Sequence, residues 1–164
     1  MNAAEQASAQ DRPIDRWLAK YSSDHVNPTN QTIHFFAVPL ILWTVTALLW
    51  CIPVPGTWFG PGFWAAIAAF AAWMFYYRAS RKLGLGMLVV FVAMLWINRG
   101  LQIVIGTENL LWLAIAVFVL AWIAQFIGHK IEGHKPSFFT DLVYLLIGPV
   151  WTLGKLYRKL GWSY

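Results

Sequence analysis

The residues of this chain best suited to chemistry are its four histidines, His25, His34, His129 and His134. Neutral imidazole is the commonest protein ligand for metal ions. His25 and His34 stand just before and at the start of the first long apolar run. His129 and His134 stand just after the last. If those runs are helices that cross a membrane an even number of times in total, both pairs reach one face. A metal held there ties the first helix to the last. The alternative is that each histidine caps a helix or meets lipid headgroups on its own.

Local spacing adds detail. Asn30 and His34 are i, i+4, so a helix that starts near Pro28 carries both on one face. His129 and Glu132 are i, i+3 and share one helical turn. His129 and His134 are i, i+5 and do not share a face. Gly128 and Gly133 can bend the backbone enough to bring His134 in. Other roles stay open: Glu132 as a solvated partner of Lys130 or Lys135, and Asn27 and Asn30 as turn and cap residues around Pro28.

The elements that must position these groups are apolar. Of 164 residues, 59% are hydrophobic and 12% charged, against about 25% charged in ordinary soluble domains. A soluble chain of this size cannot bury so much apolar surface. Eleven tryptophans fit the enrichment of Trp at membrane interfaces. The expected architecture is one all-α membrane domain, 1–164, with four transmembrane helices at 33–52, 58–77, 85–105 and 110–127. Each is near the length that crosses a bilayer. The Pro-rich stretch CIPVPGTW and the short GTEN form tight turns between them.

Two further helices flank these spans. Residues 13–21, PIDRWLAKY, place Ile14, Trp17, Leu18 and Tyr21 on one stripe. That stripe suits the headgroup layer or packing on the bundle. Residues 138–150 are too short to span, and Gly148-Pro149 is expected to break them. They read as an interfacial or re-entrant helix before a basic amphipathic tail.

Eleven of the twelve Lys and Arg lie before the first span, between the second and third, or after the fourth; the opposite loops carry only Glu108. The positive-inside rule therefore puts both termini in the cytoplasm, with a bacterial inner membrane as the expected location. The net charge of +5 belongs to topology and anionic lipid, not to nucleic acid. With no signal peptide expected ahead of Ile33, the first span acts as its own uncleaved membrane signal. Cys51 has no partner for an internal disulfide and reads as apolar filler. Arg99, beside Asn98 and near Gln102, lies toward the far end of the third span and can snorkel outward.

The same residues carry a resemblance. Tyr21, the run His25-x-Asn27-x-x-Asn30-x-x-x-His34 and Pro39, then Trp122-x-x-Gln125-Phe126-x-Gly128-His129, Glu132, Pro136 and Gly148-Pro149 resemble the small integral membrane proteins related to the yeast 2-hydroxy fatty acid dioxygenase. The resemblance covers residues 15 to 155 or so. It implies an iron(II)-dependent oxygenase that removes one carbon from a 2-hydroxy fatty acid with dioxygen, in contact with membrane lipid. His25, His34 and His129 match as metal ligands, and the fourth position is left to His134, Glu132 or water. Glu132 joins the histidines as a catalytic candidate. Asn27, Asn30, Lys130 and Lys135 are the candidates for the substrate head. A non-catalytic transporter or lipid-binding scaffold, and a haem protein with two axial histidines, are the competing readings.

Overall fold

The computed structural model describes residues 12–133 and 138–164, the side chains of 138–144 excepted. Five helices follow one another: α1, Pro13–Ser23; α2, Pro28–Trp50; α3, Phe63–Ala79; α4, Arg81–Glu132; and α5, Phe138–Lys159. No strand occurs among the described residues, so the all-α expectation holds. Among the described residues two helices, α2 and α4, are long and apolar enough to cross a membrane. His134 and Lys135 lie outside the described residues.

α4 is not one rod. At 1.5 Å per residue a straight helix of its length would run about 78 Å. Its start nevertheless packs with Tyr21, through Leu83, Met87 and Phe91. Its end brings His129 against His25, which itself stacks on Tyr21. The reversal falls at Gly106, whose φ of 80° and ψ of 164° are non-helical and open to a residue without Cβ. The expected GTEN turn is therefore a one-residue hairpin, and residues 107–109 already belong to the second arm. We call the arms α4a (81–105) and α4b (107–132).

Other boundaries differ as well. The second span was expected from Trp58, but α3 begins at Phe63 and Trp58 is 91% exposed. Pro53, Pro55 and Pro61 punctuate that loop, and Gly62 enters α3 with a φ of 85°. α3 is therefore about 26 Å long. The break expected at Gly148-Pro149 does not occur, because α5 runs through Pro149 to Lys159. Gly148 instead lets α5 approach α2 closely: a Cβ there would come within 3.2 Å of Val38 and 3.4 Å of the Tyr21 hydroxyl. Neighbouring helices make a proline in such a helix tolerable.

Small residues hold the helices together. Ala37, Ala47, Ala65, Ala114 and Ala121 are all buried between α2, α3 and α4b, which allows the close backbone approach typical of helices packed in lipid. The Asn98 amide donates to the Thr46 hydroxyl (3.1 Å) between α2 and α4a. The stripe on α1 packs inward: Ile14, Leu18 and Tyr21 are buried against Tyr76, Phe91 and Trp151, and Trp17 stacks on Phe75. Trp96, Val104 and Trp112, by contrast, face outward.

A candidate metal centre at the head of an apolar cavity

Three elements deliver three imidazoles to one point. His25 sits in the short link between α1 and α2, His34 two turns into α2, and His129 in the last turn of α4b. One ring nitrogen of each lies within 4.8 Å of the other two. The rings meet edge to face, with centroids 4.4 Å apart for His25 and His34, 5.0 Å for His34 and His129, and 5.6 Å for His25 and His129. His25 and His34 are buried and His129 is half-buried.

Tyr21 orients two of them. Its backbone carbonyl accepts a bond from His25 Nδ1 (2.7 Å). A carbonyl only accepts, so Nδ1 carries the hydrogen and Nε2 keeps its lone pair, the tautomer a metal ligand needs. The Tyr21 hydroxyl bonds His34 Nδ1 (3.1 Å). His34 Nε2 is buried with no hydrogen-bond partner among the described residues. Burial also pushes the His25 imidazole below its ordinary value, against the Tyr21 carbonyl, which pulls it up. Three imidazoles with one ring nitrogen each drawn to a common point, two of them oriented by Tyr21, fit a divalent transition metal.

Glu132 is used otherwise. One carboxylate oxygen accepts from the backbone N–H of Val26 (2.8 Å) and Asn27 (2.9 Å), and the other from the Asn30 amide (2.8 Å). The carboxylate therefore sits at the positive N-terminus of α2 and clasps it to the end of α4b, across 105 residues of sequence. Burial raises its pKa, but the bonds from Asn30, Asn27 and Val26 outweigh burial and hold it below the ordinary carboxylate value. The three-histidine group does not include it.

Asn27 caps α2, its side chain accepting from Thr29 N and Asn30 N. Asn30 is fully buried beside Gly128. A Cβ on Gly128 would fall well inside contact distance of Asn30 Oδ1, so the glycine one residue before His129 makes room for the asparagine one turn before His34. Lys130 is exposed. Arg99 is exposed at the opposite end and donates to Gln102 (3.2 Å).

Beneath the imidazoles runs a cavity of about 210 Å³. Tyr21, His25, His34 and His129 line its head, with Gln125 one turn below His129. Val38, Ile41, Val45 and Leu49 of α2 line its length, faced by Ala68, Ala69 and Ala72 of α3. The rise along α2 from His34 to Leu49 is about 22 Å. Sequence reasoning missed Tyr21 and Gln125 as site residues, although both stand in the motif that carries the family resemblance. The alanines carry no local signal of a cavity.

Comparison with known proteins agrees over nearly the whole chain. The profile of a family described as 2-hydroxy-palmitic acid dioxygenase Mpo1-like matches residues 12–160. A Saccharomyces cerevisiae protein named 2-hydroxy-palmitic acid dioxygenase MPO1 is 26% identical over 148 residues, covering 88% of this chain and 79% of its own. No solved structure matches.

Proposed function

Because this chain belongs to the Mpo1-like family, we propose that it is a membrane-embedded, iron(II)-dependent dioxygenase that shortens 2-hydroxy fatty acids by one carbon. The observation that carries this reading is the convergence of His25, His34 and His129 at the head of an apolar cavity. The relative is named for a 2-hydroxy-palmitic acid substrate, which has the same two parts, a polar chelating head and a long apolar chain.

The overall change balances without a co-substrate. A 2-hydroxy acid and one dioxygen give the acid one carbon shorter, carbon dioxide and water. Held by the three histidines, iron(II) supplies the redox and Lewis-acid chemistry for dioxygen and the hydroxy-carboxylate head. The chain's own residues do the rest. Tyr21 fixes the tautomer of His25 and steadies His34. The clasp of Glu132 and Asn30 keeps the ends of α2 and α4b, and so His34 and His129, at constant separation. Gln125 places a neutral amide beside the head of the cavity. The apolar walls take the acyl chain and keep water from it. His134, if it reaches the group, adds a fourth ligand.

In this reading α2, α3, α4a and α4b are four crossings, with the three imidazoles and every Lys and Arg except Arg99 at one membrane face, the cytoplasmic one by the positive-inside rule. Substrate discrimination tests the function. Purified, iron-loaded protein should shorten 2-hydroxypalmitate and leave palmitate unchanged. Equal turnover of both would overturn a reading in which the 2-hydroxyl is part of the recognised head.

A further inference from the structure

The cavity has a floor, and its position is specific. Leu49, the lining residue of α2 farthest from the histidines, packs against a buried cluster of Ala47, Trp50, Ala65, Leu110 and Ala114. Thr46, in the wall beside Leu49, is fixed by its bond from Asn98. The head is equally fixed, by imidazoles anchored on Tyr21. A chain with its carboxylate at the histidines therefore has a set depth to fill. Along that depth one wall is made of alanines: Ala68, Ala69 and Ala72 line it from one face of α3. His34 Nε2, buried without a partner among the described residues, lies at the open head of the same space and marks it as a ligand site.

We propose that this cavity is a ruler for acyl-chain length, in which Leu49 sets the floor and the alanine face of α3 keeps the bore open. The proposal rests on the fatty-acid reading of the site and adds the residues that decide which acids it accepts. Depth along α3 can be read from the helix. Ala72 lies nearer the histidines than Ala68 by about 6 Å, one turn and a little more, a few methylene groups of acyl chain. A leucine at Ala72 should stop the chain higher than a leucine at Ala68. Leu49→Ala should let it run deeper.

The test is binding of saturated 2-hydroxy acids, from lauric to lignoceric, to iron(II)-loaded, detergent-purified full-length protein without dioxygen, measured by calorimetry. Each methylene that enters the bore should tighten the dissociation constant about fourfold; beyond the floor the gain should cease. The ruler predicts that this break point moves to shorter acids in Ala68→Leu, to shorter acids still in Ala72→Leu, and to longer acids in Leu49→Ala. The last variant removes atoms rather than adding them, so steric misfolding cannot mimic its result. A break point unmoved in all three variants overturns the ruler, whether or not the iron-loaded protein is active. If break points move in the stated order but iron-loaded wild type shortens no 2-hydroxy acid, the ruler stands and the dioxygenase reading falls.

Discussion

Gly128→Ala is the sharpest structural test of how the two ligand-bearing helices are held together. In an isolated helix the change should stabilise by about 1 kcal/mol, because alanine is the better helix former. Here the new methyl would overlap Asn30 Oδ1 and press on Asn30 Cγ (3.3 Å), while only touching Ile33 Cγ2 (3.5 Å). Asn30 has no route of retreat, since it is fully buried and its amide is bonded to the Glu132 carboxylate. Overpacking costs about 1–3 kcal/mol, and a hydrogen bond to a charged group contributes about 1.5–3 kcal/mol. After the helix gain, a net loss of about 1.5–5 kcal/mol follows. The assay is a double-mutant cycle on unfolding in detergent. In an Asn30→Ala background the clash disappears, so Gly128→Ala should cost little or stabilise. An equal penalty in both backgrounds would refute the account of how α2 and α4b meet.

Two other predictions follow from the same arrangement. The Glu132 carboxyl titrates below its ordinary value in the folded chain, so its stabilising effect is fully present above the ordinary carboxylate range and is lost as pH falls through the lowered folded value. Unfolding scans should show that acid-side loss shrink in Glu132→Gln; an unchanged acid limb would mean the clasp contributes nothing. Reporter fusions should place the loop at Gly56 and the turn at Thr107 outside and the C-terminus in the cytoplasm, and an external C-terminus would end the four-crossing topology.

The large features were legible because they are periodic or global. On α2 the signal was an unbroken apolar run long enough to cross a bilayer, whereas its buried face, with Asn30, His34, Ala37, Ile41 and Ala47, has no polar stripe opposite to announce it. Likewise, topology alone brought His25 and His34 to the same end as His129. Less legible were contacts made by distant backbone. Glu132 reads locally as a partner for His129 or a neighbouring lysine. Its carboxylate instead answers the N–H groups of Val26 and Asn27, which nothing near Glu132 in sequence announces. Gly148-Pro149 shows the converse: a strong local stop signal was overridden because the glycine is used for close packing on Val38 and Tyr21. The reversal at Gly106 was foreseen as a turn, but the following Thr107 and Glu108 look like loop and are helix.

Metal content measures directly whether three histidines from separate elements hold one iron. Detergent-purified wild type, stripped with chelator and reloaded with iron(II), should carry about one iron per chain and show no Soret band. His34→Ala and His129→Ala should each insert normally and lose bound iron, while Arg99→Ala, at the opposite end of the bundle, should keep it. Full iron occupancy in both histidine variants would contradict the account.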